Sequence, residues 1–359
     1  MKAYVSLAVA LLIFLSGCIF FQDVEREGFK EGDLVAPVPY PFYVAHKPVA
    51  THPLPIYYHY TAVWKPSPLY KNYLGALQVV INNTGNTDIF IYGFALEIDG
   101  VEQKMMLDGG KEIPSGKSEI FYPSFRCPNY GNHTYRVGTY IMAGRNGRWY
   151  DHGLEYMEGK YNMSVNGYES GGYKLHRNYY VYFDKINKLV NTRDEEIVSK
   201  TKEITAPYGS GYNMAKVCAI FDWVDRNVEY VNESKDEWHT PTYALFHGGD
   251  CEEFAMLIAS MVTAAGGNAR IYITQNHAFA AVYIGKDLSI LKNVDSYYNS
   301  NLSYAFFEDE MGYWLVADPL MSFYIGSLPV GGIVKGGSGK YYRWSIITND
   351  LYSIDVMRD

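Results

Sequence analysis

The stretch Gly249-Asp250-Cys251-Glu252-Glu253-Phe254-Ala255 places a cysteine at the mouth of a helix that the sequence specifies from start to stop. Phe254, Leu257, Ile258, Met261, Val262 and Ala265 recur at i, i+3, i+4, i+7, i+8 and i+11. That spacing is one face of a 3.6-residue period. Asp250 suits the N-cap, and Glu253 three positions on suits the reciprocal capping arrangement. Gly266-Gly267 supplies the stop. Cys251 therefore falls in the first turn, where unpaired N–H groups favour a thiolate and a developing oxyanion. The plain alternative is a small buried residue.

Three segments further on give that cysteine its partners. Ala269–Thr274 reads as a strand, and Asn276–Ile284 as a second strand opened by His277. Tyr313–Pro319 is a short apolar strand that ends in Asp318 and is stopped by proline. A thiolate–imidazole–carboxylate relay needs these three groups, with the acid holding the ring tautomer and the base reaching the sulfur. Neighbouring strands lie about 5 Å apart, so strand pairing alone can bring His277 and Asp318 together.

Gly-Asp-Cys-Glu-Glu-Phe-Ala, Ala-Gly-Gly-Asn-Ala-Arg, Asn-His-Ala-Phe and Trp-Leu-Val-Ala-Asp-Pro resemble the core motifs of the transglutaminase-like superfamily. Upstream, Met214, Val217, Ile220, Phe221, Val224 and Val228 form a helical face closed by Val228-Glu229-Tyr230, as in that family. The resemblance covers about 178–325 and implies Cys251 as nucleophile, His277 as general base and acid, and Asp318 as orienter. It leaves the reaction open, because the superfamily holds cross-linkers, cysteine peptidases, amidases and inactive members.

Two departures stand out. Phe279 replaces the tryptophan common two residues after the histidine. His277 and Asp318 are separated by 41 positions, longer than usual. The excess, 285–312, reads as an inserted loop or extra hairpin at the rim of the site. For a second oxyanion donor the family pattern points to a side chain upstream of the cysteine. Trp238 is the candidate, with His239 and Trp223 as competitors.

The N-terminus has a positive start, a short apolar core and then Leu15-Ser16-Gly17-Cys18. The apolar core is short for a membrane span, and the tetrapeptide resembles a lipobox, which implies lipidation of Cys18. A plain secretory signal, or an uncleaved anchor running to Phe21, are the alternatives. Each places the remaining chain outside the membrane. Sequons at Asn82, Asn132, Asn162, Asn232 and Asn301 agree with export, and N-glycans on a lipid-anchored chain would suit an archaeal surface. Of four cysteines, Cys127 and Cys218 remain available for a disulfide that would staple two domains; otherwise Cys218 is ordinary core.

No CxxC or His/Cys cluster reads as zinc-binding, and no cofactor is expected. The net charge of −8 with no basic stripe argues against nucleic acid as a partner. The 35 tyrosines suit either strand propensity or a carbohydrate- or peptide-facing surface.

The expected fold class is α+β: an N-terminal immunoglobulin-like β-sandwich, then a transglutaminase-like (papain-like) α+β domain. The expected order is a signal peptide with lipobox at 1–18, a Pro-rich tether at 19–55 and the sandwich at 56–150. A connector at 151–177, the catalytic domain at 178–345 and a C-terminal tail at 346–359 follow. The expected function is acyl transfer through a Cys251 thioester, as a peptidase or amidase on a peptide or envelope polymer. An amine acceptor would make it a cross-linker instead. A surface or adhesion module that has kept the fold is the non-enzymatic alternative.

Overall fold

The computed structural model describes residues 24–358 apart from 44, 72, 168–171, 233–236, 329–331, 339–340 and 347. Residues 332–338 and 341–346 are described as strands, without their side chains. The signal segment and Cys18 lie outside the described residues.

Among the described residues, nine antiparallel strands make the first domain: β1 (Tyr60–Pro66), β2 (Leu74–Asn83), β3 (Asp88–Ile98), β4 (Val101–Ile113), β5 (Ser118–Phe121), β6 (Ser124–Arg126), β7 (Gly131–Arg145), β8 (Arg148–Tyr156) and β9 (Tyr161–Val165). One sheet runs β1-β2-β5 with β6 also on β2; the other runs β4-β3-β7-β8 with β9 also on β7. Alternation sends Leu77, Val79 and Ile81 of β2 inward to meet Ile89, Ile91 and Phe94 of β3 and Val137 of β7 in one core. Asp99 and Gly100 both take positive φ, at 49° and 84°, which is the twist a two-residue hairpin needs between β3 and β4. The domain extends past residue 150. The segment expected as a connector supplies most of β8 and all of β9, because Met163 and Val165 still have sandwich core to fill.

Among the described residues the second domain has six α-helices and eight strands. The helices are α1 (Tyr180–Leu189), α2 (Glu195–Thr205), α3 (Met214–Asn227), α4 (Pro241–His247), α5 (Cys251–Ala264) and α6 (Lys292–Tyr298). The strands are β10 (Lys174–Arg177), β11 (Ala269–Ile273), β12 (Ala278–Gly285), β13 (Tyr304–Asp309), β14 (Gly312–Ala317), β15 (Gly332–Ser338), β16 (Tyr341–Ile346) and β17 (Asp350–Asp355). They form one sheet in the order β10-β17-β11-β12-β14-β13-β16-β15. Its middle strands are apolar throughout because both faces are covered. Ala278, Ala280 and Val282 join the core beneath the helices, while Phe279, Ala281 and Tyr283 join a second core on the opposite face.

The C-terminal segment is not a tail. β17 lies between β10 and β11, with Leu351 and Ile354 fully buried. Asp355 accepts from the buried Arg270 guanidinium, from Asn178 Nδ2 at 3.0 Å and from the Phe29 amide at 2.9 Å. Arg270 also pairs with Asp309 and stacks over Trp314. A buried charge needs such partners, and they come from opposite ends of the chain.

Residues 24–55 are a docked strap, not a free tether. Proline bars helix but leaves apolar side chains and backbone groups able to bind neighbouring surfaces. Phe29 is buried and stacked on Trp314 at 6.1 Å. Arg26 pairs with Asp184 and Lys47 with Asp151, so the strap touches both domains. The excess segment also differs from expectation. It folds as a 3-10 turn (Leu288–Leu291), α6 and β13, and it joins the domains. Tyr298 Oη donates to Asp222 Oδ1 at 2.7 Å, Asn299 Nδ2 to the Gly110 carbonyl at 3.4 Å and Ser300 Oγ to the Tyr122 carbonyl at 2.5 Å.

Candidate active site

α5 begins where the sequence places it. Gly248 has φ of 76°, and a Cβ there would sit 2.2 Å from the Glu229 carbonyl oxygen, so only glycine lets the chain turn into the helix. Gly249 then bridges Tyr230. The Glu252 amide donates to Asp250 Oδ1 at 3.3 Å and the Asp250 amide to Glu253 Oε2 at 3.1 Å, closing the capping box. Glu253 Oε1 also accepts the His239 amide at 2.7 Å. The same carboxylate therefore ties the loop before α4 to the first turn of α5. Burial and its Asp250 neighbour push the Glu253 carboxyl up to about 7.

Cys251 is half-buried at this first turn. The backbone of Ala278, the first residue of β12 and the one after His277, favours the ionised form of this thiol. The thiol itself donates to Glu252 Oε2 at 3.0 Å. Burial and then this carboxylate push the thiol well above its ordinary range. The thiolate expected from helix position alone is thus opposed in the resting site. Glu252 is pushed up to about 7, chiefly by burial and then by Asp250. The sequence reading assigned no role to Glu252; its adjacency to Cys251 was the available signal.

His277 Nε2 meets Asp318 Oδ2 at 2.8 Å. Pairing of Ala280 with Ala317 explains the meeting: the start of β12 and the end of β14 fall at the same edge of the sheet. The bond engages Nε2 and leaves Nδ1 as the nitrogen for proton exchange with a thiol. Asp318 is 2% exposed. Burial alone would lower the His277 pKa, but the Asp318 hydrogen bond and charge outweigh it and hold the ring above its ordinary value. Phe279 stacks with the imidazole at 5.9 Å and 22°, and so keeps an aromatic wall where the family commonly has tryptophan.

Other predicted residues are scattered. Trp238 lies parallel to Tyr182 at 6.0 Å, with Lys185 Nζ 3.6 Å above its ring. His239 stacks on Tyr243, and Trp223 lies under Lys200. Cys127 and Cys218 are buried free thiols in separate cores, so the inter-domain disulfide is not made. Cys218 faces the interior of α3, and Cys127 fits against Gly75 within the sandwich. Asn132, Asn162, Asn232 and Asn301 are exposed, whereas Asn82 is half-buried with its amide spent on Thr61 and Ser118. Asp250, Cys251 and Glu252 bring ligand-type atoms within 4.8 Å of one another, but those atoms already serve the cap and the thiol. Among the described residues no helix is long and apolar enough to cross a membrane.

Residues 198–319 match the transglutaminase-like superfamily model, so the chain carries a transglutaminase-like domain. No curated protein matches it. Similar solved structures include a Bordetella pertussis protein named ApaA, at 19% identity over 33% of this chain and 97% of that one, with TM-score 0.23. The CARDB domain of a Pyrococcus furiosus protein, solved with di-metal ions, shares 11% identity over 32% of this chain and 95% of its own, with TM-score 0.21. A protein from Archaeoglobus fulgidus shares 9% identity over 30% and 96%, also at 0.21. Likeness at that level carries no argument about this chain.

Proposed function

We propose that this chain is an exported, surface-anchored thiol acyl-transfer enzyme, acting as a peptidase or amidase through a thioester on Cys251. The observation that carries the reading is the His277–Asp318 bond at 2.8 Å at the edge of the sheet, with the backbone of Ala278, the next residue, favouring the ionised form of the Cys251 thiol. A binding module has no need of that set.

In this reading His277 Nδ1 takes the thiol proton as sulfur adds to the substrate carbonyl. The N–H groups of the first turn of α5 receive the oxyanion, with Trp238 the candidate second donor. The C–N bond breaks and the leaving amine takes the proton from His277. Water, deprotonated by the same ring, then releases the acid and restores the thiol. Water is the default acceptor in an open site; an amine would give cross-linking. The strand order supports an immunoglobulin-like sandwich acting as a spacer. The lipobox-like start supports a membrane anchor through Cys18, and the acidic charge and sequons agree with a cell-surface setting and an envelope peptide substrate.

The test uses p-nitrophenyl acetate as a generic acyl donor. A burst of nitrophenol equal to enzyme, with an acetyl mass on the Cys251 peptide, supports the reading. His277→Ala should reduce the burst rate about 10³-fold. No acyl mass on Cys251 under any pH would end it. Adding a labelled amine then separates hydrolysis from transamidation.

A further inference from the structure

Two adjoining cavities lie where the sandwich, the strap and α6 meet, with volumes of about 560 Å³ and about 430 Å³. Phe42, Lys111, Tyr297 and Asn299 line both, so together they make one cleft. We infer that this inter-domain cleft binds a neutral saccharide of one or two rings.

Size comes first. Ligand sites commonly span about 300–1,000 Å³ and favour domain boundaries. The walls come second. Tyr297 meets Phe42 and Tyr208 at 6.0 Å each, and Tyr298 meets Tyr122 at 5.2 Å. Flat rings with polar edges suit the apolar C–H face of a pyranose and its rim of hydroxyls. Phe42 arrives from the strap, so an element outside the matched family segment closes one side.

Charge decides between ligand classes. Both cations lining the cleft are paired with a carboxylate of the same lining, and Asp108 and Asp295 add two further carboxyl groups. Lys111 Nζ lies 2.6 Å from Glu119 and Arg226 lies 2.9 Å from Asp222. Asp222 is 7% exposed and also accepts from Tyr298. An anionic ligand would have to draw a cation out of one of these pairs and would face the further carboxyl groups. Sugar hydroxyls can donate to the carboxylates and accept from the cations while both pairs persist. Asn299, with φ of 51° at the end of α6, adds an amide that both donates and accepts.

The experiment titrates the whole chain with maltose, cellobiose and N,N′-diacetylchitobiose, with glucuronate as the anionic control, read by saturation-transfer NMR. At least one neutral disaccharide should saturate with Kd below about 5 mM, and glucuronate should bind at least roughly tenfold more weakly. Tyr297→Ala and Phe42→Ala should each weaken binding by about tenfold. Phe42 lies on the strap, so its variant decides the matter if Tyr297→Ala fails to fold. No saturation by any of the three at about 20 mM would overturn the inference, as would equal binding of glucuronate or an unchanged Kd in Phe42→Ala. Phe42→Ala should leave Cys251 acylation intact, so failure of the cleft and failure of the thiol chemistry are read separately.

Discussion

The Cys251 thiol donates to Glu252 Oε2 at 3.0 Å. Neighbouring residues of one helix turn thus hold the thiol protonated, while Asp318 holds the His277 ring. The carboxylate disfavours the thiolate while it carries charge, and it titrates near 7. Alkylation by iodoacetamide should therefore rise at higher pH than for a free thiol, whose ordinary pKa is about 8.5. Glu252→Gln should shift that profile to lower pH and speed labelling roughly tenfold at neutral pH, since about one pKa unit is a factor of ten in thiolate. Unchanged profiles would show that Glu252 does not restrain the thiol.

The His277–Asp318 pair makes stability depend on pH in a defined direction. The folded ring titrates above its ordinary 6.5, so the folded state holds its proton more tightly than the unfolded chain. That contribution is fully present below about pH 6.5 and is lost as pH rises through the folded value. Asp318→Asn should cost about 1–2 kcal/mol more at about pH 5.5 than at about pH 9. Thermal melts at the two pH values check the sign.

Asp355 serves as the joint between the chain ends. Asp355→Ala leaves the buried Arg270 with Asp309 alone and strips partners from Asn178 and the Phe29 amide. The expected loss is about 3–5 kcal/mol, read as a lower urea midpoint at constant slope. Chains cut before Asp350 should not fold, since β17 lies inside the sheet. A folded truncation would contradict the strand order.

Cys127 and Cys218 should behave as buried thiols. Burial raises both well above the ordinary thiol range. In the native protein, Ellman's reagent should leave both unmodified, and in denaturant both should react without prior reduction. A reducing-gel shift would instead reveal the missing bond.

Much of the site was legible because its signals are local. The i, i+3, i+4 face, the Asp250–Glu253 cap and the Gly266-Gly267 stop specify α5 wherever it packs. Short apolar runs bounded by His277 and by Asp318-Pro319 likewise announce β12 and β14. The Cys, His and Asp order carried the family resemblance.

Partners between distant segments were not legible. Nothing near Leu351 or Asp355 tells that β17 pairs with β10 and β11, because register across such separations is set by which strands bury each other's faces. The strap was read as free because proline reports what a chain cannot form, not what Phe29 will pack against. The thiol state was misjudged for a related reason. A helix start favours a thiolate by a weak, exposed-end effect, whereas burial and an adjacent carboxylate act at contact distance and depend on side-chain placement. The sequence by itself determined the elements and their chemical contents. Tertiary structure decided which element became the middle of the sheet, which thiols stayed unpaired and what the nucleophile touches at rest, because those are long-range and desolvation effects.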